Sequence, residues 1–207
     1  MILPSSFTAQ SVSLIKAEDR DFAISRGGNI QIGRRQSFET QVEVTSPPIR
    51  HENVGDFIAF LDDVGTGDAF DITLPLMSEA KGSITSNLIV KTDATAGSKV
   101  VQLSNAPASV TGLVRPNDML NFSGHSKAYW VGVDMTGGII NTFDTDAFGD
   151  MTLRLSQPLI RNVSAGETVD FLTPIITVIR NDEEVEQAIS ANDSNFVTVS
   201  FEAIELI

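Results

Sequence analysis

Apolar and polar residues alternate along several stretches of this chain, with the period of two that is typical of a β-strand packed on one face. The segment SFETQVEV, residues 37–44, alternates in this way. DAFDITLPLM, residues 68–77, and NFVTVSFEAIEL, residues 195–206, do so too, and TPIITVIRND, residues 173–182, has the same character. We therefore predict long strands near both ends of the chain.

One stretch has the spacing of an amphipathic helix instead. In RHENVGDFIAFLDDVG, residues 50–65, acidic side chains separate apolar residues that share one helical face. These apolar residues are Val54, Phe57, Ile58 and Leu61. The preceding SPPI interrupts the strand pattern because proline cannot donate a backbone hydrogen bond. We predict a short helix that ends near Gly65.

Short apolar stretches follow one another closely through the middle of the chain. They are NLIVKT, SKVVQLS, DMLNFSG, KAYWVGV, DMTLRLS and ETVDFL, all between residues 87 and 172. Turns rich in Gly, Asn, Asp, Ser and Pro separate them. Five or six short strands within about 90 residues favour a small closed β-barrel, and the oligonucleotide/oligosaccharide-binding (OB) fold is the leading candidate.

The long strands at both ends and the short strands between them predict two domains. The outer domain is discontinuous, residues 1–81 plus 175–207, and residues 82–174 form a barrel inserted in one of its loops. The fold class is therefore mainly β: a β-sandwich or barrel domain with one short helix, carrying an inserted OB-fold-like small β-barrel. Of the formal net charge of −13, the middle segment contributes only −2, with eight acidic and six basic side chains, which leaves −11 for the outer domain.

Composition excludes several classes of protein. With 27 acidic and 14 basic side chains, the net charge is negative, which is the wrong sign for binding nucleic acid through its phosphates. Without cysteine the chain has no disulfide, zinc–thiolate site or thiol nucleophile. Its apolar runs are shorter than a membrane span, and MILPSSFTAQ lacks the pattern of a signal peptide. We expect a soluble protein that binds no membrane and has no specific nucleic-acid site.

Motifs for catalysis or cofactor binding are missing from the sequence. His51 and His125 lie among polar residues without a serine motif such as G-x-S-x-G, and we expect both at the surface. Neither G-x-x-x-x-G-K-[ST] nor G-x-G-x-x-G, the glycine-rich patterns that hold phosphates, occurs. We therefore predict that the protein is not an enzyme and has no cofactor.

The segment DTDAFGD contains a weak candidate for a cation site. Asp144, Asp146 and Asp150 lie close together in sequence, and Gly149 stands at the sixth position of a calcium-type loop. The fifth position is Phe148, and the twelfth is a leucine where a bidentate glutamate is needed. We expect a solvated acidic loop without a metal, and a bound divalent cation is the weaker alternative.

Two further groups of residues are candidates for contact with other molecules. Tyr129 and Trp130 are adjacent, so on a strand they point to opposite faces; one is expected in the barrel core and one against a glycan or a partner protein. Arg26, Arg34 and Arg35 form the only basic concentration near a turn. We expect this cluster either to pair with an acidic patch at a subunit interface or to lie in a solvated loop.

The order of these features resembles that of the distal tail proteins of long-tailed bacteriophages, in the compact subgroup whose ring-forming domain carries an inserted OB-fold barrel. In that subgroup a helix ending in a phrase such as AFLDD precedes a strand ending in LP, and a later turn introduces a barrel strand. The matching residues here are Ala59–Asp63, Leu74–Pro75 and Pro116–Asp118. The resemblance covers residues 37–182 in order and spacing, although RPND replaces the usual glycine-containing turn.

This resemblance implies a structural virion protein that forms a hexameric ring at the distal end of the tail tube. The ring would lie in the virion, at the tail tip or baseplate, after assembly in the host cytoplasm. Its partners would be the tail tube protein and the baseplate hub or tail tip protein, with tail fibre or collar proteins as further partners. DNA would pass through the channel during ejection, and the acidic outer domain would keep phosphate from adhering.

Two alternatives stay open. The first is a carbohydrate-binding module for host attachment, in which the barrel recognises a glycan. The second is a baseplate adaptor elsewhere in the tail, built on the same domain. A ring of six copies would distinguish a distal tail protein from a carbohydrate-binding module. The sequence does not distinguish a distal tail protein from a baseplate adaptor.

Overall fold

The structure, a computed structural model, describes residues 11–24, 30–65, 67–74, 77–136, 138–181, 186–189 and 196–206. The elements are, in chain order, β1 (Ser11–Ile24), β2 (Ile30–Thr45), β3 (Ile49–Arg50), α1 (His51–Val64), β4 (Ala69–Ile72), β5 (Leu88–Val90), β6 (Val100–Ser104), β7 (Met119–Phe122), β8 (Ala128–Trp130), β9 (Met135–Thr136), β10 (Ile139–Ile140), β11 (Met151–Arg154), β12 (Thr168–Asp170), β13 (Ile176–Arg180), β14 (Glu186–Ile189) and β15 (Phe196–Glu205). One helix against fifteen strands in these residues confirms the mainly β fold class.

A seven-stranded sheet combines the first described strands of the chain with the last ones. Its main order is β1-β2-β15-β13-β4, and β3 and β14 also pair with β15. β1 and β2 are antiparallel along nearly their whole length, from Ser11 opposite Thr45 to Ile24 opposite Ile30. β15 pairs antiparallel with both β2 and β13. The sheet is therefore held together by contacts between residues far apart in sequence.

The predicted alternation is visible on the inner face of this sheet. Along β15, Val197, Val199, Phe201 and Ala203 are buried. Val42 and Val44 of β2 lie on the buried face too, whereas Glu43 between them is exposed. β4 is shorter than DAFDITLPLM predicted, because strand geometry ends at Ile72, and Pro75 and Leu76 lie outside the described residues.

Helix α1 begins at His51 and ends at Val64, as the spacing of its apolar residues predicted. Val54, Phe57 and Leu61 are buried, and Phe57 packs on Phe201 of β15 with ring centroids 6.2 Å apart. The chain leaves the helix at Gly65, whose φ of +59° lies in the left-handed region that glycine tolerates best. The amphipathic pattern therefore predicted both the bounds and the buried face of the helix.

The C-terminal end of α1 is capped by an arginine from the sheet. The last turn of α1 has no basic residue of its own. Arg180 of β13 is buried, and its Nη1 donates a hydrogen bond of 2.7 Å to the carbonyl oxygen of Leu61. A positive charge is stabilising there because the free carbonyl groups give a helix C-terminus a partial negative charge.

Contacts divide the chain into two compact units. The first contains Met1–Phe70 and Val178–Glu205, and the second contains Asp71–Thr177 and Leu206–Ile207. The predicted domains, 1–81 plus 175–207 around 82–174, have the same order along the chain with different boundaries. The first unit carries 17 acidic and 7 basic side chains, a formal net charge of −10, which leaves −3 for the second.

The second unit contains a six-stranded antiparallel sheet that closes on itself. The strand order is β11-β6-β5-β12-β7-β8. A β-bridge between Val131 and Leu155 then connects the end of β8 to the end of β11. The amides of Gly132 and Ser156 donate hydrogen bonds to Arg154 and Trp130 across the same seam. Closure removes the exposed edges of the sheet.

The interior of this barrel is filled by apolar side chains from all six strands. They include Leu88, Val101, Leu103, Phe122, Tyr129, Leu153 and Val169. Each strand contributes alternate residues, as the burial pattern of β11 illustrates, with Met151 and Leu153 inside and Thr152 and Arg154 exposed. All six of the short strands predicted from the sequence belong to this barrel, which has one strand more than the five of an OB fold.

The RPND turn before β7 forms without a glycine. Asn117 has φ +68°, and asparagine is one of the few other residues that adopt this conformation readily. Pro116 precedes it, and the amide of Asp118 donates to the carbonyl of Arg115, as in a type II turn. The side chain of Asp118 is buried and accepts hydrogen bonds from the amides of Lys81 and Arg115.

Several elements were not predicted from the sequence. They are β1, the first half of β2, β3, the short hairpin β9–β10 and β14. In the part of the chain that the structure describes, no helix has the length and apolar character needed to cross a membrane.

Candidate functional site

Tyr129 and Trp130 point to opposite faces of β8, as predicted, but neither ring is exposed. Tyr129 is 0% exposed and packs in the barrel core, where it is paired with Leu120 of β7. Trp130 is only 3% exposed on the other face. The structure therefore contradicts the predicted contact of these rings with a glycan or a partner, because stacking requires an accessible ring face.

Tyr129 and His125 are joined in a hydrogen-bond network at the end of the β7–β8 turn. The Tyr129 hydroxyl lies 3.0 Å from Nδ1 of His125, and Nε2 of His125 lies 3.3 Å from the carbonyl oxygen of Asn162. Since a carbonyl only accepts, Nε2 carries the proton of the neutral ring, and Nδ1 accepts from the tyrosine. The tyrosine oxygen in turn accepts from the amide of Ile160, at 3.2 Å.

This network refines the prediction that His125 lies at the surface. The ring is half-buried and packs at 5.5 Å, between centroids, against Phe122. Burial lowers the pKa of His125 below its usual value of 6.5, while the hydrogen bond to Asn162 and the charge of Glu167 oppose this shift and the charge of Arg161 adds to it. The neutral ring is thus the form that fits. His51, by contrast, is exposed.

A cavity of about 460 Å³ opens on the outer face of the barrel, beside His125. β7 and β12 pair so that Val169 and Phe122 are opposite each other, as are Asp170 and Asn121. Phe122 and Val169 point into the barrel core, and Asn121 and Asp170 line the cavity. The β7–β8 turn forms one wall, and the segment that follows β12 forms the other.

The walls of the cavity are braced by two polar side chains. The side-chain amide of Asn121 both donates to and accepts from the backbone of Ile175, at 3.0 and 2.7 Å, so it holds the segment after β12 in the manner of a neighbouring strand. Asp170 accepts hydrogen bonds from the amides of Leu172 and Thr173 and from the hydroxyl of Thr173. The cavity is therefore pre-formed, and sequence reasoning missed it because no single motif spans its two walls.

The three aspartates of the acidic loop do not converge on a common point. Asp144 accepts from the amide of Gly112 and the hydroxyl of Thr142. The Asp146 carboxylate accepts hydrogen bonds from the amides of Asp150 and Phe148, and these two bonds, that from Asp150 above all, lower its pKa.

Asp150, the third aspartate of this loop, pairs with Lys91, and the hydrogen bond between them raises the lysine pKa. Among the described residues no three His, Cys, Asp or Glu side chains are grouped to hold a metal ion. The weaker alternative of a cation at Asp144, Asp146 and Asp150 therefore has no geometric support.

The predicted basic cluster falls largely outside what the structure describes. Arg26 lies outside the described residues. Arg34 and Arg35 belong to β2, where only their backbone is described, and Arg34 is in register with Arg20 of β1. The proposal that these arginines contribute to a subunit interface stays a prediction.

The hairpin β9–β10 exposes apolar side chains that no other described part of the barrel covers. Ile139 is 71% exposed, Ile140 58%, Met135 57% and Val133 47%. Large apolar side chains grouped in this way are typical of surfaces that another molecule covers. The hairpin is therefore a second candidate functional feature of this unit, distinct from the cavity in its chemistry.

Comparison with known proteins adds no relative. The sequence matches no protein-family model, and a search of curated proteins finds no match.

Proposed function

We propose that this chain is a structural protein of a long-tailed bacteriophage virion, without enzymatic activity. Six copies form a ring at the distal end of the tail tube, and the ring joins the tube to the baseplate hub or tail tip protein. DNA passes through the central channel when the phage ejects its genome. The protein is assembled in the host cytoplasm and resides at the tail tip.

The observation that carries this proposal is the insertion of a closed barrel into a discontinuous β-domain. β4 leads out of the large sheet and β13 returns to it, and these two strands are neighbours in that sheet. An insertion is tolerated where its two ends lie close together, since the host sheet is then undisturbed. The order of helix, strand, barrel and returning strand is also the order of features in the distal tail proteins.

The distribution of charge also supports a channel for DNA. The first unit has a formal net charge of −10 and the second −3. A channel with a negative lining repels the phosphate backbone, so DNA moves through it without adhering. A protein that gripped DNA would need the opposite sign of charge.

The exposed apolar side chains of the β9–β10 hairpin also support a protein that assembles with others. Such side chains lower the solubility of a free monomer, and they are retained where assembly covers them. In a tail ring, this surface would be covered by a tail fibre protein, a collar protein or the baseplate hub.

The oligomeric state tests this proposal. Mass photometry of the purified full chain across a range of concentrations should detect a species near six times the 22.3 kDa monomer, about 134 kDa. A monomer at every concentration would count against a self-assembling ring.

A baseplate adaptor elsewhere in the tail, built on the same domain, is the alternative. Labelling of intact virions with an antibody against the chain separates the two. Label at the junction between tube and tip supports the distal tail ring, and label elsewhere on the baseplate supports the adaptor.

A further inference from the structure

The cavity on the outer face of β7 and β12 has the size and construction of a ligand site. Its volume, about 460 Å³, falls within the range of ligand pockets, about 300–1,000 Å³. Asn121 and Asp170 fix its walls through hydrogen bonds to the backbone, so little ordering is needed on binding. We infer that it binds a neutral polyhydroxylated ligand, a mono- or disaccharide. This site goes beyond the proposed function and does not depend on it.

Four side chains that line the cavity are available for such a ligand. Asn87, Ser123, Ser126 and Thr168 have no hydrogen-bond partner for their side chains among the residues that the structure describes. A serine or threonine hydroxyl both donates and accepts, and an asparagine amide does the same through its nitrogen and oxygen. Sugar hydroxyl groups also donate and accept, so they match these four groups without any change of protonation.

The charges around the cavity favour a neutral ligand. Its lining contains no lysine or arginine, so a phosphorylated or carboxylated ligand would bury its charge without a partner. The lining has one carboxylate, that of Asp170, which already accepts three hydrogen bonds. His125 has both ring nitrogens hydrogen-bonded. An anion therefore finds no counter-charge here, and three of the roughly four acceptor positions of the Asp170 carboxylate are already used.

Apolar contact in the cavity is limited, which sets the expected affinity. Ile175 is 37% exposed at the rim and can contact the C–H face of a sugar, whereas Phe122 is nearly fully buried and offers no ring face for stacking. We therefore expect millimolar dissociation constants for a single site. Six copies in the proposed ring would raise the effective affinity for a surface that displays many sugars.

Saturation-transfer NMR on the full chain tests this inference, with D-glucose, D-galactose, D-mannose, N-acetyl-D-glucosamine and maltose as probes. Thr168→Trp fills the cavity from an exposed position at the start of β12. Thr152→Trp is its matched control, because Thr152 is an exposed threonine on β11 of the same barrel and does not line the cavity. Thermal unfolding of both variants checks that each is folded.

We expect saturable transfer to at least one of these sugars, at least tenfold weaker in Thr168→Trp and unchanged in Thr152→Trp. Glucose 6-phosphate should bind no better than glucose. The inference is overturned if no sugar gives a saturable signal, if Thr168→Trp binds as well as the wild type, or if the phosphorylated sugar binds more tightly. A chain that binds sugar but stays monomeric would contradict the ring alone, and a ring that binds no sugar would contradict this site alone.

Discussion

The Tyr129 hydroxyl donates a hydrogen bond to Nδ1 of His125 across 3.0 Å, and the same oxygen accepts from the amide of Ile160. The tyrosine therefore links the β7–β8 turn to the segment after β11. This arrangement uses every hydrogen-bonding position of a neutral histidine. If Nδ1 were protonated, it would donate to the tyrosine oxygen and could no longer accept from it. The hydroxyl hydrogen of Tyr129 would then need a new acceptor.

The first prediction concerns the pH dependence of barrel stability. Burial lowers the pKa of His125 in the folded state below the usual 6.5. Between these two pKa values the unfolded chain binds more protons than the folded one, so the free energy of unfolding rises with pH. The contribution of neutral His125 to the free energy of unfolding is thus complete above the pKa of the unfolded state. It is lost as the pH falls from that value toward the lower pKa of the folded state.

Denaturant unfolding monitored by the fluorescence of Trp130, the single tryptophan of the chain, measures this dependence. From about pH 8 to about pH 5 the wild type should lose more stability than His125→Gln. His51→Gln, at an exposed histidine, should retain the wild-type dependence. An identical pH profile for the wild type and His125→Gln would show that the buried network does not couple to protonation.

A second prediction isolates the tyrosine hydroxyl. Tyr129→Phe keeps the ring in the barrel core and removes the group that pairs with His125 and Ile160. Since both partners lose a hydrogen bond in a partly buried site, the free energy of unfolding should fall by about 1–3 kcal/mol. Denaturant titration followed by Trp130 fluorescence measures it, and a variant as stable as the wild type would mean that water replaces the hydroxyl without cost.

A third prediction concerns the arginine that caps α1. Arg180→Met removes the hydrogen bond to the carbonyl of Leu61, together with the other contacts of the guanidinium, and should destabilise the first unit by at least about 1.5–3 kcal/mol. Arg50→Met is the matched control, because Arg50 and its partner Glu52 are both exposed, and an exposed ion pair contributes about 0–1 kcal/mol. Thermal unfolding followed by circular dichroism should separate the two variants. Equal losses would contradict a specific role for Arg180.

A fourth prediction contrasts two apolar residues of the second unit. Leu153 is fully buried in the barrel and Ile140 is 58% exposed on the β9–β10 hairpin. Leu153→Ala should cost about 2–5 kcal/mol, because it leaves a cavity in the core. Ile140→Ser should change stability by no more than about 0.5 kcal/mol, as surface substitutions do. Denaturant titration of both variants measures this contrast, and a large loss for Ile140→Ser would mean that the hairpin packs on the barrel.

The sequence predicted those elements whose own apolar residues follow a clear strand or helix spacing. The six barrel strands each carry alternating apolar residues, and α1 carries an apolar face, so each was visible within its own segment. β1 was not, because SVSLIKAEDRDFAI mixes charged and apolar residues without a clean period. Its strand conformation instead accompanies antiparallel pairing with β2 along most of its length, with one irregularity between Glu18 and Arg20.

The candidate site was harder to predict than the fold. Asn121 and Ile175 are 54 positions apart and come together only because β12 pairs with β7. His125 gave no clear signal either: Tyr129 is only four residues away but forms no recognised motif with it, and Asn162 is 37 positions away. The prediction for Tyr129 and Trp130 failed for a related reason. Two adjacent residues on a strand point to opposite faces, but the sequence does not show whether other parts of the protein cover those faces.

The most direct test of the central claim is negative-stain electron microscopy of the purified chain. Class averages should contain rings with six-fold symmetry and an open central hole, since a closed ring of identical subunits uses one repeated interface. Compact particles without a hole, or rings with a different number of subunits, would contradict the account of this protein as a hexameric tail ring.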